Sequence, residues 1–170
     1  LEFIDTAGCA FYEQVDKETF SSYNPEEVLL LFKHLGNYLT NVELLGKLAE
    51  IRNIGIISPY KAQVARLQES FQFDGFIQEE MMTKIAVNTI DSFQGQERDI
   101  IYISLVRSNE RGEIGFLSDI RRMNVAMTRA RKKLVVIGDS ATIGRHPFYD
   151  KFLDYVNEQN AYRSAFELIY

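Results

Sequence analysis

Three largely apolar runs constrain the fold of this chain more than any other feature. They are IGIIS at 54–58, DIIYISLV at 99–106 and LVVIG at 134–138. Runs without polar alternation are typical of strands buried on both faces, which occur in parallel sheets covered by helices. Shorter strands are predicted at 1–5 and 84–90. The sequence therefore predicts an α/β fold with a mostly parallel sheet.

Helix signals lie between and after these strands. The first predicted helix covers about 25–40, with Asn24 as its N-cap and Glu27 three residues later in a capping-box arrangement. The others are predicted directly after Pro59, over about 119–131 with Asp119 as its cap, and from 147 to about 157. Because strands and helices alternate, helices are expected on both faces of the sheet.

The composition is that of a folded domain, with 46% apolar and 25% charged residues. No apolar stretch approaches the roughly 18 residues of a membrane span, so no membrane partner is expected. The single Cys9 cannot form an internal disulfide, which fits a reducing compartment. We expect a cytoplasmic protein, or a nuclear one in a eukaryote. The chain begins with Leu1 rather than Met, which suggests a fragment of a longer protein.

The net charge of −5 argues against a general nucleic-acid binder, but the charge is unevenly distributed. Residues 121–133 contain six basic side chains and no acidic one. On a helix over 119–131, Arg122 and Arg129 would lie together on one border of the apolar face, with Arg131 on the other. Taken alone, such arginines are typical of a helix C-terminus and a solvated flank.

Three ordered segments resemble motifs IV, V and VI of the second RecA-like domain of superfamily 1 helicases. They are IGIISPYKAQVARL at 54–67, VNTIDSFQGQERDIIYISLVRSN at 87–109 and GFLSDIRRMNVAMTRARKKLVVIGD at 115–139. The resemblance is greatest to the up-frameshift-type branch, superfamily 1B, which contains the nonsense-mediated-decay and immunoglobulin mu-binding helicases, and it covers nearly the whole chain. It implies a RecA-like P-loop NTPase fold, with residues 1–170 forming one C-terminal, second helicase domain.

The resemblance also implies roles in nucleotide binding. In this family ATP and Mg²⁺ bind between two RecA-like domains, and the second inserts an arginine finger toward the γ-phosphate. Arg129 matches that catalytic arginine. Gln94, Gly95 and Glu97 match nucleotide contacts, although Gly95 also fits a simple tight turn. Arg122 is a second candidate near the ATP cleft, weighed equally against a structural role.

Four further residues match the family's nucleic-acid surface, which meets the backbone of single-stranded DNA or RNA. They are Ser58, Tyr60, Thr89 and Asp91. Hydroxyls and main-chain amides can hold phosphates there without reading bases. For Tyr60 we favour a ring buried beneath the loop over one that stacks on a base. Gln63 is interpreted as ordinary helix surface.

Several ligand motifs are missing from the sequence. Gly46 and Lys47 lack the remaining residues of a phosphate loop, and Asp139 fits a helix cap better than a magnesium ligand. His34 and His146 have no zinc-like spacing. We therefore expect no metal site here, Mg²⁺ ligands and the phosphate loop in an upstream RecA-like domain of the same chain, and no ATP hydrolysis by this fragment alone.

The residues and the resemblance together predict the C-terminal motor domain of an ATP-dependent DNA or RNA helicase. The alternative is a non-catalytic RecA-like scaffold that binds nucleic acid or protein. Such a scaffold would have no use for an intact Arg129 and Glu97. Relatives often carry Arg where this chain has Gln96, so no role is assigned to that position.

Overall fold

A computed structural model of the chain describes residues 1–73, 75, 77–93 and 96–169. The strands are β1 (Glu2–Asp5), β2 (Gln14–Val15), β3 (Ser22–Tyr23), β4 (Ile54–Ile57), β5 (Ile85–Asn88), β6 (Arg98–Ser104), β7 (Ala130–Gly138) and β8 (Tyr162–Ser164). The α-helices are α1 (Pro25–Leu44), α2 (Lys61–Phe73), α3 (Glu79–Met82), α4 (Ile120–Met127), α5 (Ser140–Ile143), α6 (Pro147–Glu158) and α7 (Phe166–Ile169). Short 3₁₀ helices cover Leu48–Glu50, Ile90–Phe93 and Gly115–Ser118.

Six strands form one sheet in the order β5-β4-β6-β7-β1-β8, and every neighbouring pair is parallel. Strands β2 and β3 form a separate antiparallel pair. Because all six strands of the main sheet point the same way, their carboxyl ends meet at one edge and their amino ends at the other. The predicted parallel sheet is confirmed.

Helices cover both faces of this sheet. On one face, Leu35 of α1 and Leu67 of α2 belong to the same buried cluster as Ile56 of β4. On the other face, Met123 of α4 and Tyr149 of α6 belong to a second cluster with the sheet residues. These two apolar layers explain why the central strands lack polar alternation.

The predicted helix over 119–131 is wrong at its C-terminal end. Asp119 does cap α4, because its side chain accepts a hydrogen bond from the backbone N–H of Arg122, but the helix stops at Met127. The side chain of Thr128 bonds back to the carbonyl of Asn124 at 2.9 Å. Beyond it, the backbone joins the ladder of β6, so β7 begins at Ala130 rather than at 134. Pairing with β6 supplies the main-chain partners that further helical turns would have supplied.

The start of α1 is only partly as predicted. The side chain of Asn24 caps the helix by accepting from the N–H of Glu27 at 3.3 Å. The carboxyl group of Glu27 does not return to Asn24, because the Asn24 N–H already donates to Oε1 of Gln63 at 2.9 Å. Instead Glu27 is buried and accepts from the hydroxyl of Ser104 at 2.5 Å and the N–H of Val106 at 3.0 Å.

The interpretation of Gln63 as helix surface is wrong. Its side chain is fully buried and joins α1, α2 and β6. Its amide oxygen accepts from the N–H of Asn24, and its amide nitrogen donates to the carbonyl of Asn24 at 3.0 Å and to the hydroxyl of Ser104 at 2.9 Å. Apolar periodicity along α2 gives no signal of such a polar contact.

Replacing Gln63 with alanine should lower the free energy of unfolding by about 2–4 kcal/mol, because buried donors and acceptors on Asn24 and Ser104 lose their partner. Urea unfolding of the purified chain measures this. Gln68 is the matched control, since it lies on the exposed side of the same helix and makes a single bond to the carbonyl of Val87. Its alanine variant should lose less than about 1 kcal/mol. If both variants lose the same unfolding free energy, the hydrogen bonds of Gln63 stabilise the fold no more than the single bond of Gln68 does.

Candidate functional site

The predicted site residues fall at opposite edges of the parallel sheet. Ser58 and Thr89 directly follow the carboxyl ends of β4 and β5. Glu97 and Arg129 directly precede the amino ends of β6 and β7. Gln94 and Gly95 lie outside the described residues. Glu97 and Arg129, which are matched to the nucleotide, thus lie at the edge opposite Ser58 and Thr89, which are matched to nucleic acid.

Arg129 lies in the turn between α4 and β7, and its backbone is fixed on both sides. Its N–H donates to the carbonyl of Ala126 at 3.3 Å, and its carbonyl accepts from the N–H of Arg98 at 2.9 Å. The residue is half-buried, and its Nε has no hydrogen-bond partner among the described residues. This Nε is buried, so the side chain carries an unsatisfied donor, a cost that pairing with an anionic oxygen would remove.

Glu97 directly precedes β6, the strand that pairs with β7 next to Arg129. Its carboxylate forms an ion pair with Arg131. Nε of Arg131 lies 3.2 Å from the Glu97 carboxylate, and another nitrogen of Arg131 lies 3.7 Å from the buried carboxylate of Asp99. The Glu97–Arg131 pair is about half exposed and contributes little to stability. A ligand hydroxyl can therefore replace Arg131 as the partner of Glu97 at small cost.

Arg122 lies in the first turn of α4, seven residues before Arg129, and faces the carboxyl edge of the sheet. It forms an ion pair of 2.5 Å with Asp91, whose 3₁₀ helix follows β5. The expectation that Arg122 and Arg129 share one border of a single helix is wrong, because α4 ends before Arg129. The structure groups Arg122 with the residues matched to nucleic acid.

Tyr60 is buried, as favoured from the sequence, with only 3% of its surface exposed. Its hydroxyl donates to the carbonyl of Ile114 at 3.2 Å and accepts from the N–H of Phe116 at 3.1 Å and from Arg107 at 3.2 Å. Burial raises the pKa of this hydroxyl above its ordinary value. Ser58 is fully buried as well. Because both side chains are buried, they support the surface at the carboxyl edge of the sheet and are not part of that surface.

Above these buried residues runs an open groove of about 830 Å³ along the carboxyl edge. Its lining joins the hairpin between β2 and β3 to the start of α2, the end of β5 and the region around α4. The lining residues are Asp16, Thr19, Phe20, Ser21, Pro59, Lys61, Ala62, Ala65, Arg66, Glu69, Thr89, Asp91, Phe116 and Arg122. Thr89 and Asp91, matched to nucleic acid from the sequence, are among them. Phe20 and Phe116 are not identified by sequence reasoning.

Comparison with known proteins places this architecture in a family. A family model described as an AAA domain matches residues 1–141. The chain is 36% identical to the mouse DNA-binding protein SMUBP-2 over 169 residues, which cover 99% of the chain and 16% of that protein. The chain belongs to the up-frameshift-type family of superfamily 1 helicases. Its parallel sheet with helices on both faces is the RecA-like fold of these helicases.

Two further relatives support membership of this helicase family. DNA polymerase alpha-associated DNA helicase A of Saccharomyces cerevisiae is 42% identical over 149 residues, which cover 85% of the chain and 20% of that protein. Regulator of nonsense transcripts 1 of Dictyostelium discoideum is 35% identical over 152 residues, which cover 89% of the chain and 11% of that protein. The helicase-family chain therefore spans a fifth or less of the length of these relatives.

The described part of this helicase chain offers no ready site for a metal ion. No group of three or more His, Cys, Asp and Glu side chains in residues 1–73, 75, 77–93 and 96–169 is arranged to hold one. The described residues therefore do not fit Mg²⁺ by themselves. No helix in the same ranges is long and apolar enough to cross a membrane.

Proposed function

We propose that residues 1–170 form the second RecA-like domain of an ATP-dependent nucleic-acid helicase and are a piece of a longer protein. ATP would bind between the amino edge of this sheet and a RecA-like domain that precedes it in the same chain. The observation that carries the proposal is Arg129, whose backbone is fixed at that edge and whose buried Nε lacks a partner among the described residues. Membership of a helicase family supports the same role.

In this proposal Arg129 is the catalytic arginine finger. As the γ-phosphoryl group transfers to water, negative charge spreads over its oxygens, and a planar guanidinium can form two oriented hydrogen bonds to them. Glu97 would accept a hydrogen bond from the nucleotide ribose, while Gln94 and Gly95 would shape the loop toward the phosphates. Mg²⁺ would be held by the preceding domain, since the described part of this chain holds no group of carboxylates and histidines arranged for a metal ion.

The carboxyl edge would hold a single strand of DNA or RNA. Thr89 lies at the lip of the groove and can donate its hydroxyl to a phosphate. Asp91 and Arg122 would act there as a pair rather than at the ATP site, because their ion pair lies on the groove wall. Ser58 and Tyr60 would support this surface from below. The two ligands would then meet opposite edges of one sheet, so that closure on ATP can shift the strand.

The test is ATP turnover by the protein that contains this chain and its preceding domain, measured with single-stranded DNA, with single-stranded RNA and with neither. We predict turnover that at least one of the two strands stimulates, and the better activator identifies the natural substrate. Residues 1–170 alone should show no turnover, because this chain carries no phosphate loop. Absence of turnover in the longer protein with either strand would favour the non-catalytic scaffold instead.

A further inference from the structure

Two exposed phenylalanines lie along the groove at the carboxyl edge. Phe116 is 61% exposed and Phe20 is 78% exposed, and both line the same groove. Exposed aromatic rings are unfavourable in water unless a partner covers them, and several on one groove are typical of a binding surface. They come from distant parts of the chain, so their common position is a property of the fold.

The ring of Phe116 is supported on one side by Tyr60. The two ring centroids are 5.2 Å apart with an angle of 33° between the planes. Tyr60 is itself fixed, because its hydroxyl bonds to Ile114, Phe116 and Arg107. Phe116 is therefore a ring backed by a buried ring, with its other side free. Tyr60 cannot stack on a base directly, but it holds the residue that can.

Phe20 is held out of the core by the hairpin between β2 and β3. Its N–H donates to the carbonyl of Asp16 at 2.8 Å, and the Asp16 carboxylate accepts from two further N–H groups of the turn. Its φ of 58° is left-handed, which is uncommon for a bulky residue. Ser21 ties the hairpin to α2 by accepting from the N–H of Ala62 at 3.1 Å. The hairpin thus presents the Phe20 ring at the groove at the expense of backbone strain.

The charges beside these rings suit a phosphate backbone. Lys61, Arg66 and Arg122 line the groove. Of the three acidic residues there, Asp16 is occupied by its turn and Asp91 by Arg122, while Glu69 forms no ion pair among the described residues. Lys61 is exposed and forms no ion pair within the described ranges of the chain. Aromatic faces and cations that line the same groove are the chemistry of single-strand binding.

We propose that bases of a single strand stack on Phe116 and Phe20 while Lys61 and Arg122 face its phosphates. This inference rests on the proposed function, and it adds that the domain holds bases as well as backbone. Stacking on a phenyl ring tolerates any base, so it stabilises the strand without reading its sequence. The surface should therefore distinguish strands with bases from strands without them.

The test compares a thymidine hexamer with an abasic hexamer of equal charge by NMR titration of the 170-residue chain, which detects millimolar affinity. We expect the thymidine hexamer to bind about a hundredfold more tightly, because stacking is typically worth about tenfold per base and two rings are available. Phe116→Ala should lower this advantage about tenfold and leave the abasic affinity unchanged. The same comparison with uridine and abasic RNA hexamers shows which sugar is preferred. Tighter binding of the base-containing hexamer than of the abasic hexamer, in either the DNA or the RNA series, supports the proposal.

Two variants separate stacking from folding. Phe20→Gly relieves the left-handed backbone, so it should weaken thymidine binding while thermal stability stays the same or rises. Phe73→Ala removes a ring that is 83% exposed at the end of α2, outside the groove, and should change nothing. Equal affinity for the base-containing and abasic strands, or full thymidine affinity in Phe116→Ala and Phe20→Gly, overturns stacking but leaves the proposed function. Absence of binding to every hexamer overturns both the stacking proposal and the proposed function.

Discussion

Replacing Arg129 with alanine should lower ATP turnover about a thousandfold in the protein that contains this chain and its preceding domain. The reason is that the Arg129 guanidinium, whose Nε has no partner in the described part of the chain, would stabilise charge only in the transition state. ATP affinity should change little, because the phosphates would still be held by the preceding domain. Turnover and equilibrium binding of ATP, measured on the same preparation, separate these two effects.

Two controls make the Arg129 experiment specific. Arg129→Lys keeps the charge but loses the planar pair of donors, so it should recover only a small part of the lost turnover. Arg111→Ala removes an arginine whose side chain is 84% exposed and should leave turnover unchanged. A loss of less than about threefold in Arg129→Ala would exclude the arginine-finger role, given the factor of about 10³ to 10⁵ that such fingers provide.

The second large effect concerns the buried Glu27. Burial raises its pKa from 4.5 to about 8, against the opposing effect of the hydrogen bonds from Ser104 and Val106. The folded chain therefore keeps a proton on Glu27 that the unfolded chain releases above pH 4.5. Stability from this proton is fully present below about pH 4.5 and is lost progressively as the pH rises to about 8.

Glu27→Gln isolates this contribution, since the amide is neutral at every pH. Between pH 5 and pH 8, the unfolding free energy of the natural chain should fall by about 2–4 kcal/mol relative to the variant. Urea titrations at several pH values measure the difference. Glu110→Gln, at an exposed position, should follow the natural chain throughout. A constant difference between the natural chain and Glu27→Gln would show that Glu27 has an ordinary pKa in the folded state.

Most elements of the fold could be predicted from the sequence because their signals are local. The apolar strands, the Asn24 and Asp119 caps and the helix after Pro147 are confirmed. The end of α4 could not be predicted, because the ladder with β6 that ends it joins residues some thirty positions apart. Burial of Gln63 likewise depends on Asn24 and Ser104, each about forty residues away.

The candidate site was predicted as a set of residues but not as an arrangement. Motif order indicates Arg129, Glu97, Thr89 and Asp91, yet only the parallel sheet places the first two and the last two at opposite edges. The hairpin that carries Phe20 has strands of only two residues each in a polar stretch, which leaves no periodic pattern to detect.

The separation of the two ligands is tested most directly by a crystal structure of this chain with its preceding domain, bound to ADP, magnesium, aluminium fluoride and a thymidine oligomer. We predict that a guanidinium nitrogen of Arg129 lies about 3 Å from a fluoride, in the range of a charge-assisted hydrogen bond. The oligomer should cross the carboxyl edge beside Phe116. A fluoride that Arg129 does not contact, or an oligomer bound away from that edge, would contradict the proposed arrangement.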